Sequence, residues 1–250
     1  MNRTNERSND LAALRIAITG GTAGLGLALV REWSARGAAV AFVARTPGSV
    51  ERIATEIPGA TGIVGDVSQK TDIHPIALQI LGRLGGLDVL VNNASSLGPV
   101  PLALLADTDC EDFEAALATN LLGPFRLTRA LLGALRASAA EGRGAVVLNV
   151  SSDAALTPYP HWGAYGASKA ALHHMSAIWR EELHDEGIGV LSLDPGDMDT
   201  ALHALAIPDA DRTTLRKPEA SARELTRAIV AELHELAQQR KRSHETRRQA

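Results

Sequence analysis

The chain has 250 residues, 45% hydrophobic and 22% charged, enough to bury one sizeable core as a single α/β domain. Its formal net charge of -4 argues against the broadly basic surface that nucleic acid or an anionic membrane needs. With one cysteine (Cys110), no apolar run of the ~20 residues a membrane span needs, and a polar start too hydrophilic for a signal peptide, it reads as a soluble cytoplasmic protein without disulfides.

Residues 1–10 are polar and without periodicity, and are expected to form a disordered tail. A catalytic domain over 11–238 and a basic tail over 239–250 follow. Residues 14–19 read as a short strand that enters Gly20-Gly21-Thr22-Ala23-Gly24-Leu25-Gly26, with helical character from Leu27 onward. Strand, glycine turn and helix together make a phosphate-binding hypothesis. The glycines allow a tight turn and close backbone approach, and a helix N-terminus offers free N–H groups to a pyrophosphate. Residues 40–44 form a second strand ending in Ala44-Arg45, with no carboxylate. In dinucleotide folds an acidic residue there holds a ribose 2′-OH and a basic one accommodates a 2′-phosphate. The cofactor expected is therefore NADP (NADPH) rather than NAD, the alternative being that Arg45 is only a solvated charge.

A helix near 50–57, a strand at 61–65 ending at Asp66, and a helix over 69–84 come next. Residues 87–91 are a near-continuous apolar run, the pattern of a parallel strand covered on both faces, and end in Asn92-Asn93-Ala94. Thr108 with Glu111 fits a capping box for a helix running to 122, with Asn120 in its last turn. A further helix covers 124–139, and strand 145–150 delivers Ser151 and Ser152. Strand 190–193 precedes Asp194-Pro195-Gly196. Such alternation predicts a parallel sheet with right-handed crossovers.

Tyr165-Gly166-Ala167-Ser168-Lys169 opens a segment with apolar positions at helical spacing. Residues four apart share a helix face, so Tyr165 and Lys169 can reach one pocket. Alone, this spacing fits equally a half-buried tyrosine on a surface helix. Bringing a free tyrosine from pH ~10 down by ~3 units takes ~4 kcal/mol, more than one distant lysine supplies, so a cationic cofactor ring has to contribute.

Taken jointly, these motifs resemble the single-domain branch of the short-chain dehydrogenase/reductase family over about residues 14–200. The resemblance implies a Rossmann-like doubly wound parallel sheet and NADP(H)-dependent reduction of a ketone or aldehyde, or oxidation of the alcohol. By the same resemblance Ser152 would bind the substrate oxygen and Tyr165 would exchange its proton. Lys169 would hold the nicotinamide ribose, and Asn120 would order a water relaying protons to it. Gly20, Gly24 and Gly26 would carry the pyrophosphate, Asp66 the adenine, Asn93 the adenosine side and Thr200 the carboxamide. Thr22, Leu25, Arg45, Val67, Ala94, Pro195 and Gly196 complete the implied cofactor cleft; no metal is implied. A homodimer through helices at 109–139 and 163–186 is expected, with a tetramer as the alternative.

Three departures from the family pattern stand out. Ala23 replaces a basic residue common in NADP-preferring relatives, and Ser95 replaces the glycine of Asn-Asn-Ala-Gly. No glycine follows Gly196, so the usual last strand is expected to be missing. In its place an amphipathic helix begins at Pro218 and carries Leu225, Ile229, Leu233 and Leu236. The basic residues beyond it read as a solvated terminus rather than a nucleic-acid contact. Loops 97–102, 153–162 and 197–212 should wall the substrate pocket, with Tyr159, Trp162 and Tyr165 favouring a ring-bearing substrate. Asp153, Asp197 and Asp199 read first as solvated carboxylates, and Ser151 as a structural hydroxyl. The run Pro195-Gly196-Asp197-Met198-Asp199-Thr200 is similar to the sepiapterin/benzil-reductase side of the family, implying a ketone or diketone. A non-catalytic NADP-binding sensor or scaffold on the same fold is the competing reading.

Overall fold

The computed structural model describes residues 11–249; the tail expected over 1–10 lies outside the described residues. Apolar runs become six strands: β1 (Arg15–Thr19), β2 (Ala39–Ala44), β3 (Ala60–Val64), β4 (Val89–Asn92), β5 (Ala145–Val150) and β6 (Ile188–Leu193). They form one parallel sheet in the order β3-β2-β1-β4-β5-β6. Helices α1 (Gly24–Ala35), α2 (Pro47–Glu56), α3 (Ile73–Leu84), α4 (Cys110–Leu117), α5 (Gly123–Ala140), α6 (Gly163–Leu183), α7 (Ala201–Ala206) and α8 (Pro218–Gln249) complete the chain.

Strand residues alternate between two cores, as period-two side chains must. Ile16, Ile18, Val89, Val91, Val146 and Leu148 face one side, packed against α1, α2 and α8. Ala17, Leu90, Ala145 and Val147 face the other, against α3, α5 and the end of α6. The first core is closed by α8, whose Leu225, Ile229, Leu233 and Leu236 are all buried. Burying four such side chains contributes roughly 6–12 kcal/mol before ordering costs. The Trp33 indole N–H donates to Thr226 Oγ1 at 2.8 Å, fastening α1 to α8 inside that core.

Six strands are present among the described residues, as the missing glycines led one to expect, and β6 is an edge. The Ser151 N–H bonds the Leu193 carbonyl, so odd-numbered β6 carbonyls face β5 and even-numbered ones face outward. The outward Val190 carbonyl accepts a hydrogen bond from Arg180 Nε at 2.8 Å. From α8, Glu232 lies against Gly189, and burial pushes its carboxyl up.

At the opposite end of the sheet from the strand carboxyl ends, Asp88 is fully buried. Its oxygens accept Arg15 N, Nε and Nη2 at 2.8, 3.2 and 2.7 Å and Arg143 Nε and Nη2 at 3.0 and 2.9 Å. Ser138 Oγ adds a bond at 2.5 Å. One carboxylate thus ties the starts of β1 and β4 to the end of α5 and the turn into β5. Desolvation opposes its charge, but the Arg143 and Arg15 guanidiniums win, holding the carboxyl well below the usual carboxylate range.

Three local expectations are corrected. The capping box does not form: Thr108 Oγ1 donates to the Leu104 carbonyl at 3.0 Å, because Thr108 closes a short 3-10 turn over Leu105–Asp107. Asp109 takes the N-cap position of α4 without a side-chain bond. The helix expected over 69–84 starts at Ile73, since Asp72 Oδ2 accepts the Asp66 N–H at 3.0 Å and folds the intervening residues into turns. Finally, α8 runs unbroken across residue 239, so the basic residues assigned to a tail begin on a helix. No helix among the described residues is long and apolar enough to cross a membrane.

Candidate active site

From β1 the chain turns toward β2 on one side, and β4 lies on the other, so a crevice opens at the carboxyl ends of β1 and β4, where open α/β sheets take ligands. An open cleft of about 400 Å³ runs from the glycine turn to Trp162 and His203. Gly20 has φ +71° and sits against Asn93 and Ala94, while a Cβ at Gly26 would overlap the Gly20 carbonyl and Asn93 Nδ2. The turn is stapled from β4: Asn93 Nδ2 donates to the Thr19 carbonyl at 2.8 Å, and Thr19 Oγ1 accepts both the Asn93 and Ala94 N–H groups at 3.0 Å. Asn93 therefore shapes the glycine turn as well as lining the cleft.

Ala23 is the N-cap of α1 and its side chain caps nothing, so the first-turn N–H groups of α1 have no side-chain acceptor. An uncapped helix start behind a turn too tight for side chains suits the pyrophosphate of a nicotinamide dinucleotide. Gly24, Thr22 and Leu25 lie at this start, and a Cβ at Gly24 would come 3.2 Å from Thr200 Cγ2. Arg45 is exposed on the rim and has no ion-pair partner among the described residues. Asp66 accepts Ser68 N and Oγ at 2.9 and 2.8 Å, with Val67 beside it on the cleft wall. Pro195 is held from behind, its carbonyl accepting Ser221 Oγ at 2.7 Å, and Gly196 adopts φ +75°.

At the other end of the cleft, Ser152, Tyr165 and Lys169 come together. Tyr165 and Lys169 are 8% and 2% exposed on the inner face of α6. The Trp162 ring meets the Tyr165 ring edge-on at 5.6 Å, and Tyr159 meets Trp162 at 6.5 Å, so the aromatic group expected from the sequence assembles. Ser152 Oγ donates to Asp153 Oδ1 at 3.0 Å and accepts the Ala154 N–H at 3.2 Å. Asp153 also accepts the Tyr159 hydroxyl at 2.8 Å.

Burial is the largest influence on the charge states of this pair. Burial pushes the Tyr165 phenol up, opposed by Ser152. Burial also pushes Lys169 down to about 8, opposed by Asp194. Lys169 Nζ donates to the Val150 carbonyl at 2.7 Å and stands 5.6 Å from the Tyr165 ring centroid. Both groups are thus pushed toward neutrality by desolvation, the effect that dominates wherever a charge lacks a close partner.

Asn120 is fully buried in a π-helical turn, Ala118–Leu122, between α4 and α5. Its Oδ1 accepts the Ser96 N–H at 2.8 Å, and its Nδ2 donates to the Ser96 carbonyl at 2.7 Å and to Ser168 Oγ at 2.8 Å. Sequence reasoning put Asn120 in the last turn of a helix ending at 122; instead α4 stops at Leu117 and Asn120 sits in a widened turn that leads directly into α5. It also passed over His203 on α7, Asp194 and Thr19, which line the cleft or shape its turn; the Thr200 N-cap, accepting the His203 N–H at 3.2 Å, was the available signal for α7.

A family model described as short chain dehydrogenase matches residues 15–210. An uncharacterized oxidoreductase of Mycobacterium bovis is 35% identical over 178 residues, 68% of this chain and 51% of that protein. The L-fucose dehydrogenase of Mus musculus is 32% identical over 187 residues, 75% of this chain and 66% of its own length. The chain therefore spans between half and two thirds of these relatives. Among solved structures, a 3-ketoacyl-(acyl-carrier-protein) reductase of Brucella melitensis complexed with NADH is 27% identical, with a TM-score of 0.80 over 86% of this chain and 90% of that one. A family match over residues 15–210 and a six-stranded parallel sheet flanked by helices lead to one conclusion: the chain belongs to the short-chain dehydrogenase family.

Proposed function

We propose that the protein is an NADP(H)-dependent oxidoreductase that reduces a ketone or aldehyde carbonyl, or oxidises the corresponding alcohol, with Tyr165 as general acid/base. The observation that carries this is the convergence of Ser152, Tyr165 and Lys169 at one end of a cleft whose other end is an uncapped, glycine-lined helix start. When bound, the nicotinamide supplies or accepts the hydride. Tyr165 gives its proton to the substrate oxygen in reduction and takes it back in oxidation. Ser152 positions that oxygen, Lys169 holds the ribose, and Asn120 fixes the Ser96 segment while its remaining Oδ1 lone pair orders a water toward Lys169. Asp66 and Asn93 take the adenosine side and Thr200 the carboxamide.

The substrate end carries Asp153 and Asp197, with His203 facing Asp197 at 3.9 Å. Its neighbouring arginines are committed: Arg212 to Asp199 at 2.7 Å and Arg216 to Glu224. This balance disfavours carboxylate or phosphate substrates and favours neutral, ring-bearing or polyhydroxylated carbonyl compounds, in keeping with the sugar that names the mouse relative. NADPH oxidation against a panel of ketones, diketones and keto sugars tests the reading. Turnover should be 10- to 150-fold better with NADPH than with NADH, roughly the worth of a charge-assisted contact from Arg45 to the 2′-phosphate, and Arg45→Ala should remove most of that gap. NADPH bound tightly with no turnover on any member would replace this reading with a sensor or scaffold role.

We infer also a homodimer through α4, α5 and α6. Phe125 on α5 stacks on Trp179 of α6 at 5.7 Å, and Phe125, Leu122 and Ile178 are 37%, 38% and 46% exposed on that surface. Light scattering should give twice the chain mass, and a concentration-independent monomer mass would overturn the inference.

A further inference from the structure

Ser95 follows β4 at the carboxyl end of the sheet and lines the same cleft as Ser152 and Tyr165. Its hydroxyl is shielded from solvent and has no hydrogen-bond partner, a state shared among the described residues only with Ser34 of α1. Burying an unpaired hydroxyl is unfavourable, so its retention beside reacting groups calls for a reason. Backbone geometry offers none: Ser95 does not adopt a left-handed φ, so nothing at this position demands a glycine or a special side chain.

The segment is clamped on both sides. Thr19 Oγ1 holds the Ala94 N–H at 3.0 Å, and Asn120 holds both backbone groups of Ser96 at 2.8 and 2.7 Å. Ser95 is therefore presented to the cleft by rigid neighbours. Ser152, by contrast, has its hydrogen directed to Asp153. Of the three serines that line the cleft, Ser95 is the one whose hydroxyl is both shielded from solvent and without a partner. It lies close enough to the Tyr165 oxygen to oppose the upward push of burial on that phenol, after the larger effect of Ser152, yet no aligned hydrogen bond joins the pair in this structure.

We propose that Ser95 is a positioning residue for Tyr165: its hydroxyl donates a hydrogen bond to the Tyr165 oxygen when that oxygen carries negative charge. The proposal rests on the reading of Tyr165 as the proton donor. In reduction the Tyr165 O–H bond breaks as the proton passes to the substrate oxygen, the pair of electrons stays on the phenolate, and Ser95 keeps its own proton while its hydrogen bond forms. Serine at residue 95 thus offers the phenolate oxygen a donor that glycine there would lack.

The chain has two tyrosines, Tyr159 and Tyr165, so in a Tyr159→Phe background phenolate absorbance reads Tyr165 directly, without turnover. In that background, with and without saturating NADP⁺, Ser95→Ala and Ser95→Gly should each raise the Tyr165 ionisation by about one pH unit, a tenfold change in its ionisation constant. In the otherwise wild-type enzyme Ser95→Ala should lower kcat by about tenfold, the low end for a hydrogen bond to a charged group, with KM nearly unchanged. Added to Tyr165→Phe it should have no further effect. An unmoved ionisation in both variants overturns the proposal, including where kcat falls, since packing damage alone lowers kcat without shifting the titration. Because the titration needs no substrate, an enzyme that turns over nothing on the panel sinks the oxidoreductase reading while the role of Ser95 is still decided.

Discussion

Tyr165→Phe should leave folding and NADPH affinity near wild type while turnover falls by at least ~10²–10⁴-fold, the usual worth of a positioned acid/base. The ring keeps its edge contact with Trp162 at 5.6 Å, so only the hydroxyl is lost. Lys169→Ala should cost both turnover and cofactor affinity. The pH dependence has a definite sign. Burial holds Lys169 at about 8, below its ordinary value, so its cation is present below that pH and lost above it. Cofactor affinity of the wild type, followed by fluorescence titration, should therefore weaken as pH rises past about 8, and the Lys169→Ala curve should be weak and flat. Near-normal turnover by Tyr165→Phe would remove the central claim about the chemistry.

The second large effect lies far from the cleft. Asp88→Ala should destabilise the fold by about 3 kcal/mol, the lower end for breaking a buried ion pair, because the Arg15 and Arg143 side chains are 19% and 35% exposed and regain some water. For a domain of this size that is roughly 6–12 °C in Tm. The carboxyl is depressed in the folded state, so its contribution is fully present above the unfolded value near ~3.9 and is lost as pH falls toward the lower folded value. Acid unfolding curves of wild type and Asp88→Ala should then converge below about pH 4. A loss under about 1 kcal/mol at pH 7 would show that the two guanidiniums are satisfied without it.

Much of this architecture was legible in the chain because parallel strands buried on both faces are near-continuous apolar runs, and the cleft residues sit where those runs end. Asn93 and Asp194 were findable as the first polar groups after β4 and β6, and Ser152 as the second after β5. The amphipathic spacing of Leu225, Ile229, Leu233 and Leu236 likewise announced a helix in place of a last strand. What escaped was decided by contacts distant in sequence. Thr108 and Glu111 satisfy a local capping rule, yet the Leu104 carbonyl claimed the hydroxyl first. Asn120 widens its own turn because Ser96 and Ser168, 24 and 48 residues away, take its amide. The charge states of Tyr165 and Lys169 depend on how deeply α6 is covered, which no spacing of residues records.

The open side of β6 has a consequence for how this molecule behaves in a crowd. An edge strand is a template on which a foreign strand can register, and an aligned row of free acceptors is what starts aggregation. Here the middle acceptor of that row, the Val190 carbonyl, is already taken by Arg180, and Glu232 crowds the neighbouring Gly189 with a charge of opposite sign. A guanidinium and a carboxylate thus protect the edge where a further strand would otherwise cover it. The sheet can end at six strands without inviting a seventh from another molecule.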